Sequence, residues 1–69
     1  MPFVNIRIVK EVISADPVGK KTAMADKIVT AIAETAGISK NDVWVVFEEI
    51  DARDWFVGDT SVEQKRQKT

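Results

Sequence analysis

Apolar and polar residues alternate from Phe3 to Val9, placing Val4, Ile6 and Ile8 on one face and Phe3, Asn5, Arg7 and Val9 on the other. A period of two predicts a first β-strand. Residues 10–15 show no clear period and are expected to form a loop. Asp16-Pro17 has the form of a helix N-cap followed by proline at the first helical position, where its missing N–H is no loss. Met24, Ile28, Ala31, Ile32 and Thr35 recur at helical spacing and predict one sheet-facing stripe, with Lys20, Lys27 and Glu34 off it. Gly37 supplies the C-terminal stop, so the helix runs for about 20 residues, or ~30 Å. Val43 to Phe47 is a continuous apolar run, the pattern of a strand covered on both faces. Asp51 to Asp54 reads as a polar turn, and Trp55 to Asp59 as a short hairpin arm bent at Gly58.

Strand, long helix and strand make an α/β fold, a single β-α-β unit with parallel strands. One helix covers only one face of a two-stranded sheet, so the other face is expected to meet another subunit. The Trp-Phe-Val arm is expected to lie on a neighbour rather than in its own core. Residues 1–69 form one domain, and 63–69, with Lys65, Arg66 and Lys68, are expected to be a frayed polar tail.

Composition sharpens this picture. At 69 residues, folding removes only about 60% of the unfolded chain's surface from water. The usual staples are missing, since there is no cysteine for disulfides and no histidine for zinc. Oligomerisation is then the remaining way to bury enough apolar surface. A net charge of −1 provides no field for nucleic acid. No apolar run approaches the ~20 residues of a membrane span, and the N-terminus lacks a signal-peptide layout. The expectation is a soluble cytoplasmic protein without nucleic-acid or membrane partners.

The absences also restrict the chemistry. Without His, Cys or Tyr, no Ser-His or Cys-His nucleophile and no histidine base can be built. Carboxylates, lysines and the N-terminal amine remain. Initiator methionine is normally trimmed before a small residue such as Pro2, which would leave a free prolyl amine at the mouth of the first strand. That amine is a base, whereas an internal proline nitrogen is locked in a tertiary amide.

Several segments together resemble the small tautomerases of the 4-oxalocrotonate tautomerase family. They are Pro2 with the strand Phe3-Val4-Asn5-Ile6-Arg7-Ile8, the helix into Ala36-Gly37-Ile38, the strand from Asp42 through Val43-Trp44-Val45-Val46-Phe47 to Glu48-Glu49, and Asp54-Trp55-Phe56-Val57-Gly58. The resemblance spans Pro2 to Val62. It implies a β-α-β monomer that pairs into dimers, three of which close into a homo-hexamer. It also implies a cofactor-independent isomerase whose proline amine takes a proton from carbon next to a carbonyl and returns it elsewhere on the conjugated system. Pro2 then matches the general base, Trp55 the aromatic wall of the pocket, and Val9 and Val57 its apolar lining.

The chain departs from the family at its cations. The arginine expected after the first strand is absent from Lys10-Glu11-Val12-Ile13-Ser14-Ala15-Asp16, a longer loop, and the second arginine position is Trp44. A tryptophan cannot bind a carboxylate bidentately. Lys10 and Arg53 are the candidate replacements, and the expected binding residues are Val9, Lys10, Trp44, Trp55 and Val57. The expected substrate is an enol or 2-oxo acid less charged than a dicarboxylate, and flatter or more aromatic. Two alternatives stay open. One is a hydratase or dehalogenase in which protonated Pro2 delivers a proton while Asp42, Glu48 or Glu49 activates water. The other is a non-catalytic hexameric binding module.

Overall fold

In the computed structural model, which describes residues 1–67, strands β1 (Phe3–Val9) and β2 (Trp44–Ile50) flank helix α1 (Pro17–Ala36). The strands are parallel, as expected, with Phe3 opposite Trp44, Asn5 opposite Val46, Arg7 opposite Glu48 and Val9 opposite Ile50. Pairing extends one residue further, because the Trp44 N–H donates to the Pro2 carbonyl at 3.0 Å.

α1 begins and ends where the sequence places its signals. Asp16 accepts a hydrogen bond from the Gly19 N–H at 3.1 Å, satisfying one of the donors that a helix start leaves unpaired. At the other end Gly37 is left-handed, with φ of 70°, and its N–H reaches the Ala33 carbonyl at 2.9 Å. The stripe facing the sheet is rotated from the expected one. Lys21, Met24, Ala25, Ile28, Val29 and Ile32 are half-buried and Ala33 is buried, whereas Ala31 and Thr35 are exposed. Lys21 belongs on that side because its ammonium pairs with Glu49 of β2, leaving only its stem against apolar surface.

The result is a thin slab, 44 × 25 × 16 Å over its Cα atoms, with one helix on one sheet. Val4, Ile6, Ile8, Val45 and Phe47 are the half-buried strand residues on the helix side. The opposite face is open: Phe3 is 60% exposed, Trp44 56% and Val46 40%. The run Val43 to Phe47, expected to be covered on both faces, is covered on one face within this chain. Among the described residues no large side chain is fully buried, and the core consists of Val9, Ile13, Ala33, Val43 and Ala52.

The connections correct the sequence reading in two places. Lys10–Ile13, expected to be an irregular loop, is a short 3-10 helix that buries Ile13. The polar turn forms as expected, as a single 3-10 turn over Ala52–Asp54 that buries Ala52. The hairpin arm forms as expected from β3 (Phe56–Val57) and β4 (Thr60–Ser61), which pair antiparallel around Gly58 at φ of 67°. Part of the expected frayed tail is instead helix α2 (Val62–Gln67); Lys68 and Thr69 lie outside the described residues. α2 starts on a reciprocal cap: the Gln64 N–H donates to Ser61 Oγ at 3.2 Å, and Gln64 Oε1 accepts from the Ser61 N–H at 3.0 Å.

Candidate active site

The parallel register sorts the expected site residues into two groups at opposite ends of the sheet. At the N-terminal end Pro2 is half-buried, its carbonyl engaged by the Trp44 N–H at 3.0 Å. Phe3 and Trp44 lie side by side across the ladder, so the surface next to Pro2 is aromatic rather than cationic. Asp42 is exposed at the end of the short 3-10 helix Lys40–Asp42 that leads into β2.

Val9, Lys10, Trp55 and Val57 belong to the opposite end. Val9 is buried in register with Ile50, Trp55 is half-buried, and Val57 is exposed on β3. Seven strand residues separate this end from Pro2, a span of roughly 23 Å. Neither of the two hollows near the C-terminal ends of the strands has Pro2 in its lining.

Two hollows open near the C-terminal ends of the strands. The first, of about 260 Å³, is lined by Lys10, Glu11, Asp51, Arg53 and Glu63. Both candidate cations are engaged there by one acid: Lys10 Nζ lies 2.8 Å from Asp51 Oδ1, and Arg53 Nη2 lies 3.4 Å from Asp51 Oδ2. The hydrogen bond to Asp51 and its charge raise the Lys10 pKa. The Lys10 hydrogen bond chiefly lowers that of Asp51, with charge from Lys10 and Arg53 adding to it. Glu11 closes the base of this region by accepting the Ala52 N–H at 3.0 Å. With three acids and two bases in its lining, this hollow repels an anion.

The second hollow, of about 310 Å³, is lined by Arg7, Ile50, Asp54, Trp55 and Phe56. Arg7 stands on the open sheet face, its Nε 3.4 Å from Glu48 Oε2. The other oxygen of Glu48 accepts from Asn5 Nδ2 at 2.8 Å. Glu48 and Glu49 are thus both near cations, the latter paired with Lys21, and Asp42 has no ion pair among the described residues. Arg7 and Asp51 were not among the expected site residues. The signal for Arg7 is its place as the charged member of an alternation whose face also carries Phe3 and Val9.

These features have counterparts among known proteins. A family model described as tautomerase enzyme matches residues 2–65. The chain is 31% identical over 68 residues to "Probable tautomerase K2" of Dickeya dadantii (strain 3937), across 99% of this chain and 97% of that protein. It is similar to the crystal structure of TomN, described as a 4-oxalocrotonate tautomerase homologue in the tomaymycin biosynthetic pathway. That likeness has a TM-score of 0.73 and 27% identity, across 96% of this chain and 95% of that one.

Proposed function

The chain belongs to the tautomerase family, of the 4-oxalocrotonate tautomerase-like type, and we propose that it uses the Pro2 amine as general base on an enol or 2-oxo acid. Tautomerase activity at this level comes with the family; the base and the substrate class are our reading. The observation that carries it is the placement of Pro2. It sits half-buried at the mouth of β1, with its carbonyl in the ladder to Trp44 and its nitrogen outside it. Once Met1 is removed that nitrogen becomes a secondary amine beside Phe3 and Trp44. An apolar surrounding withdraws solvation from the charged form, so the amine's pKa falls and free base is present near neutral pH.

The walls of the pocket come from the other end of the sheet. Val9 lies roughly 23 Å from Pro2 of the same chain by strand length, and the hollow that Trp55 lines does not include Pro2, so a complete pocket joins Pro2 of one copy to the arm of another. The open face carrying Phe3, Trp44 and Val46 is the surface by which copies associate, and a hexamer built as a trimer of dimers is the assembly we propose. Lys10 and Arg53 both face Asp51, in a hollow whose lining has more acids than bases.

The test is chemical. Intact mass should show the chain shortened by Met1, and phenylenolpyruvate should be converted to its keto form. Adding one glycine ahead of Pro2 turns the amine into an amide and leaves the walls in place. The rate should fall by about 10²–10⁴-fold, the usual contribution of a positioned base. Full activity in the extended, assembled protein would remove Pro2 from the mechanism.

A further inference from the structure

We propose that Arg7 is the carboxylate anchor of this enzyme, and that the hollow it shares with Trp55 takes a planar, apolar monocarboxylate. The proposal rests on the reading above that the substrate is an enol acid. Such a substrate needs a cation, and the cations near the strand ends are distributed unequally. Lys21 is committed to Glu49 under the helix, while Lys10 and Arg53 share Asp51 in a hollow with an excess of acids. Of the two hollows, that of Arg7 joins a positive charge to aromatic and aliphatic walls, those of Trp55, Phe56 and Ile50.

Its geometry suits the role. Within one chain the Arg7 side chain is 69% exposed, and its partner is Glu48, whose Oε2 lies 3.4 Å from Nε. Glu48 is itself steadied by Asn5. A guanidinium can meet one acid through Nε and a second through the edge formed by its two Nη groups. That edge carries parallel N–H donors matched to the two oxygens of a carboxylate. The planar remainder of the ligand then lies against Trp55 and Phe56, where an aromatic or conjugated group replaces water on apolar surface. Asp54 is the second charge in the lining, and it sets the selectivity. It repels a second carboxylate on the ligand, so a diacid gains one contact at Arg7 and meets one unfavourable charge.

Binding tests this without any proton transfer, which separates its failure from failure of the Pro2 reading. The probes are 3-phenylpropionate, which does not enolise, and its uncharged amide, titrated calorimetrically into the assembled protein. The carboxylate should bind at least tenfold more tightly than the amide. Arg7→Gln should abolish that preference with little change in amide affinity, and Arg7→Lys should retain part of it, since a point charge lacks the paired donors. Asp54→Asn should enlarge the preference. In turnover, Arg7→Gln should raise the KM for phenylenolpyruvate by a larger factor than that for its methyl ester. The proposal is overturned if wild-type protein does not distinguish acid from amide. It is also overturned if the preference survives Arg7→Gln, or if Lys10→Gln or Arg53→Gln removes it instead. Should Arg7→Gln not assemble, an unchanged preference in both Arg7→Lys and Asp54→Asn would overturn it equally.

Discussion

Lys10 Nζ lies 2.8 Å from Asp51 Oδ1, so a residue just past β1 is tied to one just past β2. The pair fixes a pH window. Asp51 has its pKa lowered below the ordinary 3.8, so its contribution to stability is complete above that value and is lost as pH falls through the folded-state pKa. Lys10 has its pKa raised above the ordinary 10.5, so its contribution is complete below that value and is lost as pH rises through the folded-state pKa. Between about pH 5 and 9 the link does not titrate. Thermal melts of wild-type and Lys10→Met protein should differ by a small, constant amount across that range, because both groups are largely solvated. The two curves should converge in strong acid. A difference that varied around neutral pH would mean that Lys10 has another partner.

Glu11 is expected to matter more for stability than its place in a loop suggests. Its carboxylate accepts the Ala52 N–H at 3.0 Å, and Ala52 is 1% exposed. Glu11→Ala would leave a buried backbone donor without a partner, at about 1–3 kcal/mol. Glu11→Gln keeps an acceptor oxygen and should recover most of that loss. Denaturant unfolding of the two variants checks this, and equal stability of Glu11→Ala and wild type would show that water replaces the carboxylate.

How much of this was legible in the sequence depends on the range of the interaction. α1 was readable because its caps are local: Asp16 needs only Gly19, and Gly37 only its own left-handed backbone. The parallel pair followed from the order of elements, and the hairpin from Gly58. The rotated helix stripe was not readable, because Lys21 counts as polar by type and enters the sheet-facing side through a bond to Glu49, 28 residues away. The helix Val62–Gln67 has a local signal, Ser61 just before it and Gln64 within it at capping-box spacing. For the candidate site, Pro2 and Trp55 could be named from the chain. The capture of Lys10 and Arg53 by one acid could not, since it depends on where two separate turns come to rest.

Assembly should depend on the open face. Phe3 and Trp44 face each other in register and are both more than half exposed, an aromatic surface that a small monomer has little reason to leave in water. Trp44→Glu should shift the protein toward smaller species in sedimentation, with a loss of ~2 kcal/mol or more if this tryptophan is an anchor of the interface. Val18→Glu on the far side of the molecule, 75% exposed on α1, is the matched change and should leave assembly intact. A stable folded monomer of wild-type protein at micromolar concentration would contradict the association of copies through this face.

The rate of proton transfer should rise with pH through an inflexion below the ~7.7–8.0 of an ordinary α-amine, because the apolar surroundings of Pro2 disfavour its charged form. The assignment of that inflexion is favoured by what else titrates nearby. The chain has no histidine, and the Lys10–Asp51 link is silent between about pH 5 and 9. Pro2→Ala replaces a secondary amine with a primary one and should keep part of the activity with the inflexion displaced. The glycine-extended protein has an ordinary α-amine one residue away from the reacting position, so the inflexion should vanish along with the rate. A pH profile that kept its wild-type midpoint in Pro2→Ala would assign the titration to another group. Asp42, the exposed acid at the same end of the sheet, would be the first to replace in that case.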